Sequence, residues 1–399
     1  MHLCALVGRI DGCNPHVLPC PGRPLAVRRN ATWNGRLRAR VTRRRRPFHS
    51  ANETYASNMN RITLLLLAGA VIAGVFPTTA LAQDAQPYFV GNPLGLPVEP
   101  SSDETFEPMS SNVKVYGAIY SAESCSYDPT RDVIVVPNRG VPQNVQANDA
   151  FVSLINHDGS VHTPRWIGVQ APGDRSGLTP PLVLNFPLGS DIVDGVLYVA
   201  DRDGGTAEDD PSVAVIRWFD METGAPAGET RVEGSPWIND IEVMDDGTIY
   251  ASQTGDFGAN PDPTTFKLWQ IDPDGTASVL VEGAPLYQPN GVAFDPEGRI
   301  VVVNMGDDNV LTFDTSGELV ATEQAAQPGN DGLVIMEDGT KYVSSVRHGG
   351  VSRIRPGEPA ELIAENIPSA ASMCYDEGGN QLVIPMNPNN GLAFVPLDE

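Results

Sequence analysis

Between Val113 and Glu399 the chain repeats one unit six times, and that repeat restricts the fold more than any other feature. Each unit runs from an apolar strand through an acidic turn to a Val/Ile/Tyr-rich strand, then through a polar loop to a third strand and a second turn. The second strands are 133–136, 196–200, 248–251, 300–303, 341–344 and 381–384. The third strands are 151–155, 213–218, 266–271, 310–313, 351–354 and 392–395. Short β-branched runs separated by Gly, Asp, Asn and Pro turns, with almost no 3.6-residue periodicity, are the signature of many short strands.

In the first five units a fourth strand follows the second turn, as after Asp272-Pro273-Asp274-Gly275. The sixth unit ends at Glu399, just beyond its third strand, and Val113-Lys114-Val115-Tyr116 is a spare strand at the other end. A ring of four-stranded blades leaves no exposed edge only if its ends close. The expectation is therefore an all-β fold, a six-bladed β-propeller over 113–399, closed by pairing Val113–Tyr116 with Leu392–Val395. Open sandwiches or two smaller domains do not explain the count and the matching spare strand together.

A second register lies inside the repeat. Asn239 stands eight residues before Gly247, Asn290 eight before Gly298 and Asp331 eight before Gly339. Glu123 stands eight before Arg131 in the corresponding turn, while Pro187 and Ala371 stand near the equivalent places of the other two units. Four blades thus place an oxygen-bearing side chain where the innermost strand begins, and in a propeller those points converge on the central channel. Two carboxylates and two amides make an all-oxygen set of formal charge −2, which suits a hard cation such as Ca²⁺. Asn-Gly and Asp-Gly pairs are also ordinary turn formers, so the shared register is what points to a metal.

These residues carry a resemblance. Glu123-Ser-Cys-Ser-Tyr-Asp128, Asn239-Asp240, Pro289-Asn290-Gly291-Val-Ala-Phe-Asp295-Pro-Glu-Gly298 and Asn330-Asp331-Gly332-Leu are similar to motifs of the gluconolactonase/regucalcin family. Its superfamily includes the diisopropyl fluorophosphatase and paraoxonase-like propellers. The resemblance covers about 113–399. It implies a six-bladed, calcium-binding propeller with Glu123, Asn239, Asn290 and Asp331 at the metal, and Asp331 as general base or nucleophile. The sugar-lactone members usually carry Arg two residues before the second of these positions; Trp237 stands there, which points to a more apolar substrate.

The loops after the second strands return to the same face. They include Asn138-Arg139-Gly140, Asp201-Arg202-Asp203, Gln253-Thr254-Gly255-Asp256, Met305-Gly306-Asp307 and Arg347-His348-Gly349. The catalytic candidates are Asp331, Asn239 and, from these loops, His348, although a lone rim histidine is more often polar surface. No His-Glu-x-x-His, Gly-x-Ser-x-Gly, Cys-x-x-Cys or Walker loop is present. Two readings follow: a hydrolase of a small lactone, ester or phosphotriester that depends on Ca²⁺ or another divalent cation, or a non-catalytic propeller that binds a ligand or partner around a structural metal.

The N-terminal third has a different character. Met59-Asn60-Arg61, the apolar run Ile62–Phe76 and Ala80-Leu81-Ala82 before Gln83 make a secretory signal over 59–82, too short to span a membrane comfortably. Residues 1–58, with eleven arginines and two acids, read as a cleaved or non-native leader, and 83–112 as a loose Pro/Ser/acid-rich arm. The remainder after residue 82 carries 14 Lys+Arg against 48 Asp+Glu, a net charge of −34. Such a surface repels phosphate backbones and anionic lipid. The expectation is a secreted or periplasmic monomer with a small-molecule substrate and neither nucleic-acid nor membrane partners. Cys125 and Cys374, the two cysteines left, occupy similar places in the first and last blades. A closed ring brings them together, as a disulfide or as two buried thiols.

Overall fold

The computed structural model describes Ser110 and residues 112–116, 119–140, 147–205, 207 and 209–397. The leader over 1–58 and the signal over 59–82 lie outside the described residues, as does the arm except at its end. There Ser110 and Asn112 bond to the outer edge of the fifth blade, Asn112 donating its side-chain amide to the Ile363 carbonyl at 2.9 Å. No helix among the described residues is long and apolar enough to cross a membrane.

The described chain is nearly all β and forms six four-stranded antiparallel sheets, a six-bladed propeller. Blade I is β2 (Ser126–Asp128), β3 (Val133–Asn138), β4 (Phe151–Ile155) and β5 (Val161–Ile167), after β1 (Lys114–Tyr116). Blade II is β6 (Ser190–Val193), β7 (Val196–Asp203), β8 (Val213–Asp220) and β9 (Pro226–Val232). Blade III is β10 (Ile241–Val243), β11 (Ile249–Gln253), β12 (Lys267–Ile271) and β13 (Ala277–Glu282). Blade IV is β14 (Pro289–Phe294), β15 (Ile300–Asn304), β16 (Asn309–Phe313) and β17 (Leu319–Gln324). Blade V is β18 (Asn330–Ile335), β19 (Lys341–Ser345), β20 (Val351–Ile354) and β21 (Glu361–Ala364). Blade VI is β22 (Cys374–Asp376), β23 (Gln381–Pro385) and β24 (Leu392–Pro396), completed by β1.

The closure falls where the spare strand predicts it. β1 pairs antiparallel with β24, with Lys114 opposite Phe394, Val115 opposite Ala393 and Tyr116 opposite Leu392. Cys125 and Cys374 are disulfide-bonded across the same seam, with Cα atoms 5.5 Å apart.

Six apolar clusters fill the interfaces between adjacent blades. The two-residue period of a strand assigns alternate side chains to opposite neighbours. On β3, Val133 and Val135 pack with Leu197, Val199 and Phe219 of blade II. Ile134 and Val136 pack instead with Val383, Leu392 and Phe394 of blade VI. A strand buried on both faces reads in sequence as a continuous apolar run, which is why the second strands lack alternation. Outer strands such as β17 are exposed along most of their length.

Candidate functional site

The innermost strands β2, β6, β10, β14, β18 and β22 surround the central channel. Glu123 lies just before β2, Asn239 just before β10, and Asn290 and Asp331 at the second residues of β14 and β18. All four are buried and line a single cavity of about 330 Å³ at the starts of these strands.

Asn290-Gly291 and Asp331-Gly332 are not turns. Both pairs lie inside strands, at points where the pairing register with the next strand shifts. The glycines have no side chain for a packing reason. A Cβ on Gly291 would stand 2.5 Å from the Asp331 carbonyl oxygen, and one on Gly332 would stand 2.6 Å from the Met373 nitrogen. Neighbouring innermost strands approach so closely at the channel mouth that only glycine fits between them. The dipeptides that could pass for turn formers therefore draw the candidate side chains together.

The hydrogen bonds around the site hold the side chains while leaving oxygens over. Asn239 donates its amide to Thr254 Oγ1 at 3.0 Å, and Thr254 donates to the Pro289 carbonyl at 2.8 Å. Ser344 Oγ receives the Gly332 N–H at 2.8 Å and donates to the Ala371 carbonyl at 2.7 Å, fixing the backbone beside Asp331. Four oxygens lining the cavity are left buried without a hydrogen-bond partner: Glu123 Oε2, Asn239 Oδ1, Asn290 Oδ1 and Asp331 Oδ1. Each residue of the register contributes one. Burial of an acceptor without a partner costs about 1–3 kcal/mol, so four in one cavity call for a common partner.

Electrostatics agree with that geometry. Burial pushes the Glu123 carboxyl up to about 8, with the Asp331 charge adding to it and the Arg139 guanidinium opposing it. Burial pushes Asp331 up to about 8 as well, with the Asp240 charge adding to it and Arg139 and a hydrogen bond from Asn290 opposing it. Asp240, one residue past Asn239, accepts the Val292 N–H at 3.0 Å and is likewise pushed up to about 8, chiefly by burial. At the other ends of the same strands, Asp191 and Glu242 line the opposite mouth of the channel with Ser126 and Ser190. Among the described residues no three His, Cys, Asp or Glu side chains cluster as a metal site by themselves, so any cation here relies on the two asparagines.

The expected loops reach the cavity through some of their residues. Arg139, Arg202 and Met305 line it, as does Trp237 two residues before Asn239. His348 lies in the turn after β19 and is not among the lining residues; Val346, two residues earlier, takes that place. Phe186, Leu188, Phe257 and Asn387 also line the cavity. Phe257 and Asn387 stand in the loops after the second strands of blades III and VI, and Phe186 and Leu188 in the irregular segment before β6. Trp237 and Phe257 stack with ring centroids 5.6 Å apart and planes 18° apart. The cavity therefore has an oxygen-lined floor, two arginines and an aromatic wall.

Residues 191–384, a stretch that includes Asn239, Asn290 and Asp331, match the family described as the SMP-30/Gluconolactonase/LRE-like region. No curated protein matches the chain significantly. Similar solved structures include a gluconolactonase from Xanthomonas campestris, at 17% identity over 72% of this chain and 91% of that one, with a TM-score of 0.49. Virginiamycin B lyase from Staphylococcus aureus shows 11% identity over 73% of this chain and 100% of its own, with a TM-score of 0.48. Regucalcin, a calcium-binding protein from Agrobacterium tumefaciens, shows 15% identity over 69% and 89%, with a TM-score of 0.46.

Proposed function

We propose, for this propeller with its SMP-30/Gluconolactonase/LRE-like region, that the chain is an exported hydrolase of a small lactone, ester or phosphotriester and depends on a divalent cation, calcium first. The observation that carries the reading is the set of four buried, unpartnered oxygens on Glu123, Asn239, Asn290 and Asp331. Their chemistry fits the ion: carboxylate and amide oxygens without sulfur or imidazole favour a hard cation. These four side chains would hold it.

A cation bound there would polarise a carbonyl or phosphoryl oxygen and acidify a coordinated water. The protein's own residues supply the rest. Asp331, buried on the floor of the cavity, is the group placed to accept a proton or to attack the electrophilic centre. Asn239, tied through its amide to Thr254, presents its oxygen in a fixed direction. Arg139 donates to the Ser121 carbonyl at 2.9 Å and to Asn387, and so keeps a positive charge beside the carboxylates. The Trp237–Phe257 wall favours a substrate with apolar surface over a polyhydroxylated sugar lactone. Export rests on the signal-like segment at 59–82 and on a disulfide of the kind that persists in oxidising compartments.

The test is a panel of aliphatic lactones, aryl esters and phosphotriesters assayed with calcium, with a chelator, and with calcium restored. Turnover that chelation abolishes and calcium restores is expected for at least one class. Turnover indifferent to chelator would overturn the metal dependence. Calorimetric binding of calcium with no turnover in any class would put the non-catalytic reading in its place.

A further inference from the structure

Arg202 stands in the cavity with hydrogen-bonding capacity that the described protein does not use. It lies near the end of β7, and its Nε is buried with no partner. The acids beside it in sequence are committed elsewhere. Asp201 accepts Arg217 Nε at 2.8 Å and the Asn185 N–H at 2.9 Å. Asp203 accepts from Arg217, from Arg231 at 3.0 Å and from the Asn185 side-chain amide at 2.9 Å.

Two other arginines show what a structural role looks like here. Arg175 is fully buried and donates to the carbonyls of Ala150, Gly168 and Gln170 and to Asn148 Oδ1. Arg139 lines the same cavity as Arg202 but donates to Ser121 and Asn387. Arg202 instead rests its guanidinium over the Phe186 ring, 4.2 Å from the centroid; Arg139 sits over that ring at 4.9 Å. Stacking engages the flat face of a guanidinium and leaves its N–H edge, a fork matched to a carboxylate, available in the plane.

Charge within the cavity points the same way. Three buried carboxyls, Glu123, Asp331 and the neighbouring Asp240, face Arg139 and Arg202, so a divalent cation on the oxygen floor leaves the site with a net positive charge. Only 14 Lys+Arg follow residue 82, and two of them line this one cavity. The third feature is the stacked pair Trp237–Phe257, whose outer ring is 55% exposed at the mouth.

We infer that the substrate has two handles besides its scissile bond: a planar apolar portion that lies against Trp237 and Phe257, and a carboxylate received by the free edge of Arg202. This rests on the hydrolase reading above and narrows it to carboxylated aromatic lactones or esters. Arg202 is then the residue that sets specificity.

The experiment compares dihydrocoumarin, a lactone fused to an aromatic ring, with the same lactone carrying a carboxylate on that ring, using the full chain with calcium. Wild type should favour the carboxylated probe in kcat/KM by about tenfold to a hundredfold, the range of one charged hydrogen bond. Arg202→Met should bring the ratio close to unity, and Arg202→Lys, which keeps the charge without the fork, should retain part of the preference. Trp237→Ala should raise KM for both probes alike. Equal turnover of the two probes by wild type, or an undiminished preference in Arg202→Met, would overturn the inference while leaving the hydrolase reading intact. If neither probe is hydrolysed, calorimetric binding of the ring carboxylic acid and of its methyl ester decides. Binding that needs the carboxylate and is weakened in Arg202→Met and Arg202→Lys supports the inference even as the hydrolase reading fails; equal or absent binding of the two compounds by wild type overturns it. A thermal melt of each variant verifies folding, and the lysine variant keeps the comparison open if the methionine variant does not fold.

Discussion

Cys125, ahead of the first blade's inner strand, is bonded to Cys374, the first residue of the last blade's inner strand, across 249 residues of sequence. The bond crosses the one blade junction at which the two ends of the propeller's chain must find each other. Cross-linking so long a loop restricts the unfolded chain strongly. The double substitution of Cys125 and Cys374 to alanine should lower stability by about 2–5 kcal/mol. Urea midpoints of wild type with and without reductant, and of the double variant, measure it. A variant as stable as the oxidised wild type would show that the seam is held by packing and the β1–β24 pairing alone.

His157 is a second fastening of the same seam. Its Nδ1 lies 2.7 Å from the fully buried Asp376 of blade VI and its Nε2 lies 3.0 Å from Asp132. Burial lowers its pKa, but the hydrogen bonds and charges of Asp376 and Asp132 outweigh that and leave it raised above 6.5. A raised histidine contributes stability fully at pH values below its unfolded pKa, and that contribution is lost as pH rises through the folded value. Stability should therefore decline as pH rises upward from about 6.5, by roughly 0.5–1 kcal/mol once solvent screening is allowed for. His157→Gln should remove that part of the slope. Parallel stability–pH curves for wild type and variant would refute the fastening.

The roles proposed for Asp331 and Asn290 separate in a calcium titration. Asp331→Asn keeps an oxygen but can neither take a proton nor attack. Its rate should stay about 10²-fold or more below wild type even at saturating calcium, the usual scale for losing a general base. Asn290→Ala removes one ligand oxygen and should weaken calcium binding, so excess calcium should restore much of its rate. Full rescue of Asp331→Asn by calcium would limit Asp331 to holding the metal. Unchanged calcium affinity in both variants would dismiss the shared site.

Gly332→Ala tests the close approach of inner strands. Its Cβ would meet backbone of blade VI at 2.6 Å from Met373 N and 2.8 Å from Ser372 Cα, with no flexible side-chain end to yield. A loss of about 1–3 kcal/mol, the usual cost of overpacking, is expected together with weaker calcium binding, because Asp331 is the adjacent residue. Gly298→Ala is the control. Its Cβ meets nothing within 4 Å, and its positive φ of 74° makes it strained locally without touching the channel. Equal effects of the two on calcium binding would reject the packing argument.

The six-fold repeat, the closing strand and the shared register of Glu123, Asn239, Asn290 and Asp331 can all be read along the chain. These are legible because strand periodicity, turn chemistry and repeat spacing are local properties of the chain. The sequence also named Arg139, Arg202 and Trp237, but could say of the two arginines only that their loops face the cavity. That Gly291 and Gly332 mark a close approach of inner strands depends on a neighbouring blade's backbone and shows only in the folded ring. The folded structure alone distinguished Arg202, with an unpartnered Nε, from Arg139 and Arg175, whose donors are engaged. It alone brought Phe186, Phe257 and Asn387 to the cavity and left His348 outside the lining residues. Which side chain shares a cavity, and which hydrogen-bonding group is left over within it, depends on contacts between residues far apart in sequence. No local pattern encodes such contacts, and they exist only once the ring has closed.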